Sequence, residues 1–196
     1  CRQISEQKII LQEGLVKYMR SRFDEQLSLL NNKMIEMGAM CESLIAFTST
    51  ALLSGNIKDA GEVKAKGREI DQMEREIEAI CLKLLLQQQP VAKDLRQISA
   101  ALKMLTDMER IGDQAEDIVE IVPYMNTHPD EKFPKIREMA RAAQSMVTEA
   151  VDAYVKQDLE LARKVMAHDD VVDDYFTQVK SGIIDMIAAE PSQGEY

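Results

Sequence analysis

The sequence predicts an all-α protein of two tandem three-helix bundles, the second lacking its third helix in this chain. Three observations predict it. Apolar residues recur at steps of three and four through long stretches. Between Leu15 and Val122 the one proline is Pro90. The second half repeats the first at a fixed offset. Composition agrees: 196 residues, 45% apolar, 5% aromatic, no Trp, and 8 Gly, a balance that suits long helices and argues against a β-sandwich.

The first helix carries an unbroken seam of Phe23, Leu27, Leu30, Met34, Met37, Cys41, Leu44, Thr48 and Ala51. That is a stripe of roughly 30 residues, or about 45 Å of helix. Ser54-Gly55-Asn56 supplies the stop and the turn. The second helix is expected from about Ile57 to Gln88, on a seam of Ala60, Val63, Gly67, Ile70, Glu74, Ile77, Cys81 and Leu84. Glu74 is expected to turn to solvent, because buried unpaired carboxylates are rare; the alternative is that it turns toward Asp71 and joins a site. Pro90 closes this helix and can sit in the first turn of the next. The third helix carries Leu95, Ile98, Leu102, Leu105, Gly112, Ala115 and Ile118 and ends near Pro123. Three such helices on short links make an up-down-up bundle. Met34, Met37, Met104 and Met108 read as flexible core filler.

After a loop with Pro123, His128, Pro129 and Pro134 the pattern restarts. Shifted by 102 residues, Met37 falls on Met139, Leu44 on Met146, Ala51 on Ala153, Val63 on Val165 and Ile70 on Val172. The turn Gly55-Asn56 falls on Gln157-Asp158. Helical period alone would not align the turn, so this is an internal repeat. A third helix of the second unit would begin near Ser192, and the sequence reaches Tyr196.

The net charge of −10 argues against non-specific nucleic-acid binding and against an anionic membrane as the sole partner. No uninterrupted apolar run approaches the roughly 20 residues of a membrane span, and the first residues lack the form of a secretion signal. Cys1, Cys41 and Cys81 make no CxxC and cannot all pair, which fits reduced thiols in the cytoplasm. His128 reads as a solvated loop residue, and His168 sits one turn from several acids.

No nucleophilic triad, Gly-rich phosphate loop or Glu-x-x-His pair can be assembled. The acidic pairs are more informative. Glu109 and Asp113 stand four apart with the small Gly112 beside them; Asp169 with Asp173, and Asp170 with Asp174, repeat the spacing. Such pairs share one helix face and repel. They read either as solvated acidic faces or as oxygen-only sites for hard cations such as magnesium, manganese or iron.

Gln89-Pro90-Val91-Ala92-Lys93-Asp94-Leu95-Arg96, followed by Glu109-Arg110-Ile111-Gly112-Asp113, resembles the signature of the PhoU family of phosphate-transport accessory and regulatory proteins. Glu69-Ile70-Asp71 and Val172-Asp173 resemble its acidic motif on the second helix. The resemblance spans about Met19 to Glu190. It divides the chain into an extension (1–18), a first repeat (19–124) and an incomplete second repeat (125–196). It implies a cytoplasmic regulator and not an enzyme. Its implied partners are the ATPase subunit of the phosphate ABC importer and the phosphate-sensing histidine kinase, through which it damps uptake and starvation signalling. It also implies a homodimer that reaches the membrane only through partners. It implies carboxylate-bound metal (iron, zinc, manganese or magnesium) on paired E(D)xxxD motifs. Asp71, Glu109 and Asp113 would serve the first site, and Asp169 and Asp173 the second. Gly67 departs from the pattern where an acid is expected. The alternative reading is a metal-binding helical bundle with a carboxylate-bound metal and an uncharacterised activity.

Overall fold

A computed structural model describes residues 2–55, 60–87, 90–124 and 135–191. Expectations for Cys1, Asn56, Ile57, His128 and Ser192 lie outside the described residues. The described elements are all helical: α1 (Arg2–Ser54), α2 (Ala60–Gln87), α3 (Ala92–Ile121) with a 3-10 turn at Val122–Tyr124, α4 (Lys135–Lys156) and α5 (Leu159–Ala189).

Helix α1 is 53 residues long, or about 80 Å, and runs without a break through residues 18 and 19. Its seam is buried as the periodicity dictates: Phe23, Leu30, Met34, Met37, Cys41, Leu44 and Ala51 are at most 2% exposed. Opposite it lie Val63, Ile70, Ile77, Cys81 and Leu84 of α2 and Ile98, Ala101, Leu105 and Met108 of α3. Each large apolar side chain removed from water there contributes roughly 1.5–3 kcal/mol. Within Tyr18–Ser54, α1 also contains a window of mean hydropathy 1.3, long and apolar enough by composition to cross a membrane. The measure is an average over 18 residues, and the uninterrupted apolar runs within it remain far shorter than a span. Glu42 is the one charged residue among residues 37–54, where that window falls, and many of its apolar side chains are the core seam itself.

The buried stripe of α3 is rotated from the expected one. Leu95 and Ile118 are exposed, and their neighbours Asp94 and Val119 are inside. Asp94 is pulled inward by charge. It accepts hydrogen bonds from Arg20 of α1 (2.8 and 3.4 Å) and from the Val91 backbone N–H (3.3 Å). The second bond ties down the start of α3, with Val91 as its N-cap and Pro90 just outside the helix. The described part of the motif, Pro90-Val91-Ala92-Lys93-Asp94, thus holds the start of α3 against α1.

The second pair of helices attaches through α4, which packs on α1, while α5 packs on α4. Close approach of α1 and α4 requires Gly38. A Cβ there would stand 2.9 Å from Cγ2 of the buried Val151. Thr148 of α4 donates to Glu42 of α1 at 2.8 Å. No residue of α5 is buried, and Phe176 is 57% exposed. The reason is geometric: among the described residues α5 has α4 as its one substantial neighbour, whereas α2, its repeat counterpart, is enclosed by α1 and α3.

The repeat register is visible in the backbone. Gly55 has φ 65° at the end of α1, and Gln157, 102 residues later, has φ 55° at the end of α4. At the second turn the Asp158 N–H bonds to Ala153 O and the Gln157 N–H to Tyr154 O. That is the two-bond closure of a helix C-terminus on a left-handed residue. Asp158 then caps α5, accepting from the Glu160 and Leu161 N–H groups at 3.0 Å each.

Candidate functional site

Helices α2 and α3 run antiparallel with their outer edges side by side, and charged residues face one another up that edge. At one end Lys64 meets Glu120 at 2.7 Å. One turn along, Gly67 lies under Glu116. A further turn brings Ile70 against Gly112, a Cβ on which would sit 3.6 Å from Ile70. At that level Asp71, Glu109 and Asp113 converge, one carboxylate oxygen of each lying within 4.8 Å of the others. The 3.6 Å distance at Gly112 is ordinary van der Waals contact, so the glycine leaves α3 resting directly on Ile70 with room for no more than a methyl group.

Asp71 and Glu109 are half-buried and Asp113 is exposed. The Glu109 carboxyl is held above its usual range, first by partial burial and then by the negative charges of Asp113, Glu74 and Asp71. Glu74, expected to turn away to solvent, is half-buried and contributes to this field. No hydrogen bond or ion pair to a cation reaches the three converging carboxylates among the described residues. Arg110, next to Glu109, offsets part of their mutual repulsion through its charge, and the net balance still holds the Glu109 carboxyl up. Such an arrangement attracts protons or a hard cation.

Glu116 is the residue that motif reading missed. Its carboxylate lies over Gly67 so closely that a Cβ at position 67 would stand 2.3 Å from Oε1. The glycine noted as a departure from the acidic pattern therefore admits a carboxylate from the facing helix. The signal was present in the spacing, since Glu116 stands three residues beyond Asp113. It becomes legible only once α2 and α3 are placed in register.

The second acidic group is arranged differently. Asp169, Asp170, Asp173 and Asp174 are all exposed on α5, and His168 is half-buried beside them. Asp71, Glu109 and Asp113 form the one close group of three potential ligands among the described residues. Asp169 is the repeat counterpart of the buried Gly67, but among the described residues no helix lies over it as α3 lies over Gly67. The buried cysteines carry no such chemistry. Burial pushes the Cys41 thiol up to about 12 and the Cys81 thiol up to about 11, so neither forms a thiolate near neutrality.

A repeated helical unit with a carboxylate cluster between its second and third helices defines the class of protein. The PhoU domain matches residues 34–122 and 136–195. The chain is 32% identical over 176 residues to the phosphate-specific transport system accessory protein PhoU homolog of Clostridium acetobutylicum, covering 89% of this chain and 80% of that protein. It is 31% identical to the homolog of the same name from Aquifex aeolicus, covering 85% and 76%. The crystal structure of PhoU from Pseudomonas aeruginosa superposes with a TM-score of 0.78 at 28% identity, covering 87% of this chain and 83% of that one. PhoU from Streptococcus pneumoniae, at 23% identity, shares the fold with the same score. The chain belongs to the PhoU family.

Proposed function

We propose that this chain is an accessory regulator of phosphate transport that works by binding proteins and not by catalysis. One observation carries the reading: the family match runs through both halves of the chain and includes the segment that builds the α2–α3 carboxylate cluster. The relatives it resembles at 31–32% identity are named as phosphate-specific transport system accessory proteins. The site supports a binding role as well. It offers carboxylates and no nucleophile or His base within the cluster, so it can hold a cation but lacks the parts for acyl or phosphoryl chemistry.

In this reading the protein is cytoplasmic and acts as a homodimer. It engages the ATPase subunit of a phosphate ABC importer and a phosphate-sensing histidine kinase, restraining both when phosphate is ample. Asp71, Glu109 and Asp113, with Glu116 one turn away, hold a metal ion. The donors fit the group: an all-oxygen set suits magnesium, manganese or iron better than zinc, which favours nitrogen and sulfur. Asp169 and Asp173 form the corresponding half-site on α5. The bound cation would neutralise the repulsion between the carboxylates and set the spacing of α2 and α3, hence the surface offered to partners.

The test is a pull-down of the purified chain with the importer ATPase and with the cytoplasmic part of the kinase, at high and low phosphate. The expected result is retention of at least one protein, with phosphate-dependent recovery. Failure of both to bind the chain under either condition would overturn the regulatory reading. Manganese titration by calorimetry tests the cation separately, and no heat of binding would remove it.

A further inference from the structure

A groove of about 660 Å³ lies between the first turns of α3 and the α4–α5 elbow. Its floor is apolar, formed by Ala100, Met104, Tyr154, Ala162 and Val165. On the elbow side two large apolar residues stand in water at its rim: Leu159 is 70% exposed and Met166 is 75% exposed. Lys93 and Arg96 line its α3 side, and both are exposed. Neither makes a hydrogen bond or an ion pair among the described residues. The groove's one acidic residue, Asp158, already has Oδ1 engaged in capping α5. On a chain of net charge −10 this rim is locally cationic.

The walls are fixed before anything binds. Gln157 of the elbow donates to Gln97 of α3 at 3.0 Å, and Gln97 donates to Asn31 of α1 at 3.1 Å. This relay links three elements across the junction of the two halves. Gln157 holds a left-handed backbone conformation, which strains a residue that carries a Cβ. Its counterpart in the first half is Gly55, which meets no such penalty. The glutamine, in the same strained position, makes the bond that spans the groove wall.

We propose that this groove docks an amphipathic helix of a partner protein. The helix would present apolar side chains at i, i+3, i+4 and i+7 to the floor and carboxylates to Lys93 and Arg96. A groove between helices accepts a helix through its apolar face, and the unpaired cations at the rim select an acidic flank and set its direction. The proposal deepens the partner-binding reading above and rests on it. It does not involve the carboxylate cluster, which lies on the α2–α3 edge.

The experiment uses the full chain and three 18-residue helical peptides with the same leucine stripe: one flanked by Glu, one flanked by Lys, and one with Ser for Leu. Binding is followed by fluorescence anisotropy. The Glu peptide should bind at least tenfold tighter than either of the others. K93E/R96E should weaken it at least tenfold and reverse the preference toward the Lys peptide. Ala100→Trp fills the floor from an exposed position, so it should abolish binding while leaving the helical circular dichroism unchanged. Equal binding of the Glu and Lys peptides overturns the proposal, as does Glu-peptide binding that survives Ala100→Trp. Sedimentation of the parent as a dimer that Ala100→Trp dissociates would assign the groove to a second copy and also overturn it. The two readings fail separately. If the importer ATPase and the kinase bind K93E/R96E and Ala100→Trp as well as the parent, the groove is wrong and the regulatory reading stands. If neither protein binds the parent but the Glu peptide does, the regulatory reading falls and the groove remains.

Discussion

Arg20 and Asp94 form an asymmetric pair, and the asymmetry can be measured. The Asp94 carboxylate is buried, at 3% exposure, whereas the Arg20 side chain is 49% exposed and also reaches Asp24 at 3.1 Å. Removing the arginine leaves a buried charge without its counter-ion. Removing the carboxylate returns a guanidinium to water it already touches. Arg20→Met keeps an unbranched apolar side chain and deletes the charge, together with the guanidinium that sits 5.0 Å over the Phe23 ring. Losing one partner of a buried pair costs about 3–5 kcal/mol, and an exposed pair is worth up to about 1 kcal/mol. With one partner half in water, the expected cost is about 2 kcal/mol. Asp94→Asn keeps an acceptor for the Val91 N–H and should cost about 1 kcal/mol, the scale of one net hydrogen bond. For a chain of this length 1 kcal/mol is about 2–4 °C in melting temperature. Arg20→Met should therefore melt about 4–8 °C below the parent and Asp94→Asn about 2–4 °C below it. Thermal unfolding by circular dichroism, with a urea series for the free energies, reads both. Acidity supplies a second check. Arg20, and then the Val91 N–H, hold the folded Asp94 carboxyl below its ordinary 3.8. Its contribution is therefore complete above pH 3.8 and is lost as pH falls through the depressed folded value. The gap between parent and Arg20→Met should narrow over that interval. A larger loss from Asp94→Asn than from Arg20→Met, or a gap that widens in acid, would refute the reasoning.

Glu109→Gln with Asp113→Asn should weaken manganese binding at least tenfold in calorimetry without changing the helical spectrum; parent-like titration would count against the cluster. In the metal-free protein Glu109→Gln alone should raise stability by about 0.5 kcal/mol, the scale of a like-charge pair on one helix face. Because the folded Glu109 carboxyl is raised, that gain should be present at neutral pH and fade as the carboxyl takes up its proton. Gly38→Ala should destabilise by about 1–3 kcal/mol, because its Cβ meets the stiff, buried Val151. Gly67→Ala meets only the flexible end of Glu116 and should be neutral or stabilising by up to about 1 kcal/mol; urea titration distinguishes the two. Cys41 and Cys81 should react with a thiol reagent no faster than the chain unfolds, given full burial and thiols raised to about 12 and about 11. Rapid labelling of either in the native protein would show that the helix phases are wrong.

The helices, the seam of α1 and the duplication were legible in the sequence. These follow from local chemistry: a step of three and four marks one face of a helix, and the turn at Gly55-Asn56 falls on Gln157-Asp158, 102 residues later. The α1 seam from Phe23 to Ala51 could be read directly because a long helix in a bundle buries one stripe throughout. The α3 stripe could not. Asp94 is inside and Leu95 outside because an arginine 74 residues earlier in the chain reaches the carboxylate, and hydropathy holds no record of that partner. The same division runs through the site. Spacing placed Glu109 and Asp113 on one face, and the family pattern added Asp71. That the three converge within 4.8 Å, that Glu116 covers Gly67, and that Asp169 and Asp173 stand apart in solvent depend on which helix lies over which. Periodicity within one helix fixes the direction of a side chain. The register and distance between helices come from packing, where Gly38 sets how closely α1 and α4 approach and the α2–α3 edge decides which carboxylates meet.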